Sequence, residues 1–128
     1  MVYSLLAVAT GAALGAVWRW GLGEWLNPLF APIPLGTLAA NLIGGLLVGL
    51  AVAYFTHQHT GAPEWRLFVI TGFLGGLTTF STFSMEVVNL FERGAYGWAL
   101  GAVGAHLAGS LLLAGAGLWL GNALLAKA

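Results

Sequence analysis

The residues able to do chemistry are concentrated in one stretch: Gly72-Phe73-Leu74-Gly75-Gly76-Leu77-Thr78-Thr79-Phe80-Ser81-Thr82-Phe83-Ser84-Met85-Glu86. Thr78, Ser81 and Ser84 recur every three residues, as do Thr79 and Thr82, and Phe80 and Phe83 form a third stripe. A hydroxyl donates a hydrogen bond to an anion without bringing a charge. A phenyl ring offers its electropositive edge. On a helix these stripes make a lining for a small, strongly hydrated anion. The same spacing also suits two packing phenylalanines and hydroxyls that bond back to their own helix. Spacing alone leaves both readings open. Gly75-Gly76 followed by a hydroxyl run makes a poor helix, so a break or kink is expected there, freeing backbone carbonyls and amides. Freed carbonyls can bind a cation.

Other polar groups are scattered. The Asn41 amide can donate to an anion or bridge helices. Ser110 can line a pathway or bond back to its own backbone. Arg19 either snorkels to an interface or draws anions to a vestibule. Glu86 is expected to pair with Arg19 or Arg93. His106 reads as a satisfied core histidine. His57 and His59 have no third ligand nearby, so no metal site is expected there. Cysteine and aspartate are absent. No nucleophile–base pair, phosphate loop or acid pair occurs, and no enzyme is expected.

These residues must be positioned by membrane-spanning elements. Of 128 residues, 59% are hydrophobic and 6% charged, with formal net charge zero. Ordinary soluble domains carry about 25% charged residues. So few ionisable groups exclude a soluble globular domain, a disordered chain and a nucleic-acid binder, which needs a basic patch. Uncharged runs cover Val2–Trp18, Trp25–Gln58, Leu67–Met85 and Gly94–Ala126. A span takes about 20 residues. The chain is therefore read as one all-α transmembrane domain over 1–128, with four spans at about 3–25, 35–56, 65–91 and 95–125. The last run exceeds one bilayer thickness and reads as one long or tilted helix.

The linkers agree. Asn27-Pro28 and the Pro32/Pro34 pair break the chain after the first span. His57-Gln58-His59-Thr60-Gly61 is the most polar stretch. Pro63-Glu64 opens the third span, and Gly94 precedes the fourth. Ala7, Ala9, Ala12 and Ala13 imitate a cleavage site, but no basic region precedes them, so a signal peptide is not expected. Twenty glycines include the pairs Gly11/Gly15, Gly45/Gly49, Gly72/Gly76, Gly97/Gly101 and Gly117/Gly121. Small residues four apart let helix backbones approach closely.

With four spans, Arg66 and Lys127 fall toward one side, Arg19 and Arg93 toward the other. The positive-inside rule finds no bias in that count. Insertion in both directions would permit an antiparallel homodimer; one fixed topology with weak signals is the alternative. Four helices barely enclose a pathway, whereas two copies give eight.

The Gly72–Glu86 stretch closely resembles the signature of the Fluc (CrcB) fluoride channels. The matches extend to Gly11-Ala12-Ala13-Leu14-Gly15-Ala16-Val17-Trp18-Arg19-Trp20, to Pro34-Leu35-Gly36-Thr37-Leu38-Ala39-Ala40-Asn41 and to Gly109-Ser110. The resemblance implies an antiparallel, dual-topology homodimer in a bacterial inner membrane, with two fluoride pathways. It implies a third helix broken mid-membrane and a structural sodium ion at the dimer centre, held by the carbonyls of Gly75 and Thr78 from each subunit. It puts Phe80, Phe83, Asn41, Thr79, Ser81, Thr82, Ser84 and Ser110 on the fluoride path. Arg19 falls on the vestibule arginine and Glu86 on the acidic position after the motif. Fluoride would leave the cytoplasm passively, down its electrochemical gradient.

Two rivals share the composition. A small multidrug-type antiporter needs a membrane-embedded carboxylate; the first span has none before Glu24, leaving Glu86 as candidate. A structural subunit without transport would need a partner protein, and the polar third span argues against it.

Overall fold

The computed structural model describes residues 1–58 and 62–126. His59 of the histidine pair, Thr60 and Gly61 of the polar loop, and Lys127 of the charge count lie outside the described residues.

The first helix, α1, runs Val2–Leu26 and ends in a short 3-10 turn, Asn27–Leu29, that contains Pro28. Helix α2 runs Leu35–His57. Its first amides lack intrahelical acceptors, and the Gly36 N–H donates to Asn27 Oδ1 at 2.8 Å. Helix α3, Pro63–Arg66, begins on proline, whose missing N–H is no loss in a first turn. It continues into a π-helix, Leu67–Leu74, and a short turn α4, Gly75–Leu77. Thr78 (φ −81°, ψ 154°) and Thr79 (φ −149°, ψ 123°) are extended. Helix α5 resumes at Phe80 and ends at Glu92. Gly94 makes the following turn at φ +71°, a conformation that side chains with a Cβ rarely adopt. Helix α6, Tyr96–Leu125, has 30 residues.

Four helical stretches are long and apolar enough to cross a membrane: Val2–Leu29, Leu35–His57, Pro63–Glu92 and Tyr96–Leu125. At a rise of about 1.5 Å per residue, α6 is about 45 Å long against a hydrocarbon core of about 30 Å, which calls for tilt. Large apolar side chains face outward along the helices, among them Trp20, Leu111, Leu112 and Trp119. An exposed apolar surface of that extent suits lipid rather than water. This is a multi-pass membrane protein.

Two helix pairs close on glycine seams. On α1, a Cβ at Gly11 would meet the Phe68 carbonyl, and one at Gly15 the Phe73 carbonyl. In return, Gly72 and Gly76 lie against the α1 backbone at Val8, Gly11 and Ala12. On the other side, Gly49 meets the Ala114 carbonyl, Gly117 the Leu46 carbonyl and Gly121 the Ala53 side chain. Gly97 and Gly101 differ: a Cβ at either would meet nothing within 4 Å. Between the seams sits a small core in which Ala40, Leu74 and Leu77 are buried.

The helix departure is placed more narrowly than Gly75-Gly76 and the hydroxyl run after it could specify. Gly75 and Gly76 are helical, and the backbone leaves the helix only at Thr78. Glycine permits that departure but does not locate it. The partner that does is described next.

Candidate functional site

The extended pair Thr78-Thr79 is held from α2. Asn41 Oδ1 accepts from the Thr79 N–H at 2.8 Å, and Asn41 Nδ2 donates to the Thr79 carbonyl at 2.9 Å. In a continuous helix the Thr79 N–H would serve the Gly75 carbonyl; here Asn41 takes it. Thr79 then caps α5. Its Oγ1 accepts from the Thr82 N–H at 3.2 Å, which removes the ordinary helical donor of the Thr78 carbonyl. Two carbonyls, Gly75 and Thr78, therefore lose their helical donors to side chains. The Gly76 carbonyl is served by Arg19 Nε at 3.1 Å.

Around this point lies a cleft of about 500 Å³, lined by Asn41, Gly75, Thr78, Thr79, Phe80, Phe83, His106 and Ser110 together with apolar side chains. Phe80 and Phe83 meet edge to face, centroids 5.6 Å apart at 64°. Phe83 is 6% exposed and Phe80 73% exposed. Phe83 also stacks on His106, centroids 4.4 Å apart at 30°. A second cleft of about 400 Å³ is lined by Arg19, Glu24, Asn27, Thr37, Thr79 and Thr82, among others. Thr79 borders both.

The hydroxyl stripes do not form one ridge. Thr78 lies before α5, so it is not in register with Ser81 and Ser84. Thr78 Oγ1 bonds back to the Leu74 carbonyl at 2.9 Å, and Ser84 Oγ to the Phe80 carbonyl at 2.7 Å. Thr79 Oγ1 donates to Thr82 Oγ1 at 3.0 Å and lies 3.4 Å from Ser81 Oγ. Ser81, Ser84 and Glu86 border neither cleft.

Glu86 does not pair with an arginine. Thr37 Oγ1 donates to Glu86 Oε1 at 2.5 Å, and Glu86 Oε2 is buried without a partner among the described residues. The reason is geometric: Arg19 is committed to the Gly76 carbonyl, while Thr37 on α2 faces α5. His57 Nδ1 lies 2.9 Å from its own helix's Ala53 carbonyl. No group of three or more metal-ligating His, Cys, Asp or Glu residues occurs among the described residues.

Comparison with known proteins decides the family. The profile described as CrcB-like protein, Camphor Resistance (CrcB), matches residues 6–118. The chain belongs to this family. Curated CrcB-type relatives are similar along nearly the whole length. A protein named fluoride-specific ion channel FluC from Pseudomonas aeruginosa (strain UCBPP-PA14) is 58% identical over 124 residues, 97% of this chain and 98% of the relative. The FluC protein of Nitrosomonas europaea is 57% identical over 114 residues, covering 89% and 90% of the two chains. That of Burkholderia pseudomallei (strain 668) is 55% identical over the full length of both.

Two residues of this CrcB chain matter more than sequence reasoning allowed. Thr37 reaches Glu86, and His106 borders the larger cleft with one nitrogen unpartnered among the described residues. Both carried a signal in their spacing. Thr37 and Asn41 are four apart on α2, and His106 and Ser110 are four apart on α6, so each pair shares a helix face.

Proposed function

We propose that this chain is the single-domain subunit, 1–128, of a passive fluoride-selective channel that exports cytoplasmic fluoride across a bacterial inner membrane. The observation that carries the reading is the clamp of Asn41 on Thr79, which opens a helix beside an edge-to-face phenylalanine pair in a polar-edged cleft. The names of the curated relatives support the same reading.

The physical problem is to accept fluoride and refuse chloride. Fluoride gives up a strong hydration shell, so the path must return hydrogen-bond donors and positive edges at close range. Phe80, Phe83, Thr79, Ser110 and the backbone at the break supply these without a fixed positive charge that would trap the ion. Thr82 continues the polar lining in the second cleft, with Asn41 fixing the geometry of the break. Close glycine seams resist the widening that chloride would require. Arg19 at the second cleft raises the local anion concentration, and Thr37, which donates to Glu86, lines the same cleft.

In this reading the working unit is an antiparallel, dual-topology homodimer with two pathways. The balanced count of basic residues supports insertion in both directions. Phe80, 73% exposed in one subunit, would be covered by the second. The third span is broken mid-membrane at Thr78-Thr79, where irregular backbone needs protein or a watery cavity around it. The carbonyls of Gly75 and Thr78, without their helical donors, fit a hard cation that takes neutral oxygen ligands. Those two carbonyls from each subunit would hold a central sodium ion, which supplies a fixed positive charge that ties the two breaks together.

The test is charge movement. Liposomes carrying the protein and loaded with potassium fluoride release the anion only when a potassium ionophore balances the charge, and without proton exchange. Fluoride release that requires proton movement, or proton-coupled cation flux lost in Glu86→Gln, would favour the antiporter reading.

A further inference from the structure

We infer that His106 serves the pathway as a neutral hydrogen-bond donor through Nε2–H, and that Asn41 is the positioning residue that fixes this tautomer. The inference rests on the channel reading for its ligand, an anion the size of fluoride. It rests on geometry alone for the tautomer.

The argument begins with Asn41. An asparagine amide has two ends that are hard to tell apart by shape. Here backbone groups of unambiguous polarity settle them. The Thr79 N–H can only donate, so the atom 2.8 Å from it is Oδ1. The Thr79 carbonyl can only accept, so the atom 2.9 Å from it is Nδ2. Nδ2 has a second proton, and 3.0 Å away is His106 Nδ1. That nitrogen must therefore present its lone pair. A neutral imidazole with an accepting Nδ1 carries its proton on Nε2.

His106 is 3% exposed, and Nε2 is a buried nitrogen without a hydrogen bond among the described residues. A buried donor left unmade costs free energy. The ring is held from two sides, by the Asn41 bond and by the Phe83 stack. It lines the same cleft as Ser110 and the phenylalanine pair. A fixed, unpartnered N–H beside that pair is a ready donor for an anion. Asn41 itself has no proton left to give: both are engaged, by Thr79 and by His106. The two side chains thus divide the work, Asn41 ordering the break and the ring, His106 meeting the ion.

The test is nitrogen magnetic resonance on the full-length protein, labelled with 15N-histidine, in lipid. His106→Phe keeps a ring against Phe83 and identifies the His106 signals by their loss. Without fluoride, Nε2 is expected to appear protonated and Nδ1 as a bare acceptor. Adding sodium fluoride should shift the Nε2–H signal, whereas sodium chloride should not. In flux assays His106→Phe should slow fluoride release at least about tenfold, as loss of one donor to an ion implies. A proton on Nδ1 in the fluoride-free protein would overturn the inference. So would an unmoved Nε2 signal in a preparation that conducts fluoride. Absence of any fluoride flux would instead count against the channel reading, and the tautomer measured without fluoride would still stand or fall by itself.

Discussion

Asn41 bonds both the N–H and the carbonyl of Thr79, at 2.8 Å and 2.9 Å, across 38 positions of sequence. One side chain thus replaces the helical acceptor of the Thr79 N–H and adds a second donor to the carbonyl with which Thr79 caps α5. Because the amide matches donor to acceptor on both sides, close relatives of its shape are poor substitutes. Asn41→Leu fills the space but leaves the Thr79 N–H without a partner and strips the Thr79 carbonyl of its side-chain donor. Each unmade bond at a buried site costs about 1–3 kcal/mol. Asn41→Asp keeps the acceptor but turns an oxygen toward the Thr79 carbonyl. Both variants are expected to lower thermal stability in detergent and to abolish most fluoride efflux, with Asn41→Asp at least as damaging. Wild-type stability in either would refute the clamp.

The phenylalanines separate conduction from folding. Phe80 is 73% exposed in the subunit, so Phe80→Ile should cost the packing within a subunit little and flux much. Phe83 is buried against His106, so Phe83→Ile should cost both, with about 1–2 kcal/mol of stability lost. Fluoride efflux and thermal melting are measured side by side. Full flux in both variants would remove the aromatic rings from the account.

Glycine seams give a prediction with its own control. In Gly15→Ala the new methyl meets the Phe73 carbonyl and the Leu77 amide, so α1 must move off the third span. Overpacking of that kind costs about 1–3 kcal/mol. Gly97→Ala meets nothing within 4 Å, and alanine is the better helix former by up to about 1 kcal/mol. Melting temperatures should fall for the first and hold or rise for the second. Equal loss in both would mean the seams carry no special packing.

Metal removal tests the proposed central cation. Protein prepared with a bulky organic cation in place of sodium and potassium should lose dimer content and fluoride flux, and sodium chloride should restore both. Unchanged dimer and flux after exhaustive removal would dismiss the ion.

Much of this architecture was legible from charge spacing. Uncharged runs located the four helices, and Asn27-Pro28, Pro63 and Gly94 marked where they end and begin. Glycine pairs marked the two seams, but the fate of Gly97 and Gly101 depended on which face of α6 meets α2, and that is a tertiary fact. A helix departure was expected within Gly75-Gly76 and the hydroxyl run that follows, from local propensity. Its real position, Thr78-Thr79, is set by Asn41 far away in sequence, and no local rule contains that partner. Glu86 was expected to seek an arginine because charge attracts charge. Thr37 takes it instead, since Arg19 is spent on a carbonyl that the departing helix exposes. His106 read as a satisfied core residue, and only the fixed polarity of the Thr79 backbone reveals which of its nitrogens has a proton to offer.

The central claim is selective fluoride conduction, and anion efflux from liposomes carrying the purified protein tests it most directly. Release is read with a fluoride electrode, with a potassium ionophore present, and repeated with chloride-loaded vesicles and a chloride electrode. Rapid fluoride release with chloride retained is the predicted result. No fluoride release from protein shown to be folded and inserted, or chloride release at a comparable rate, would contradict the account.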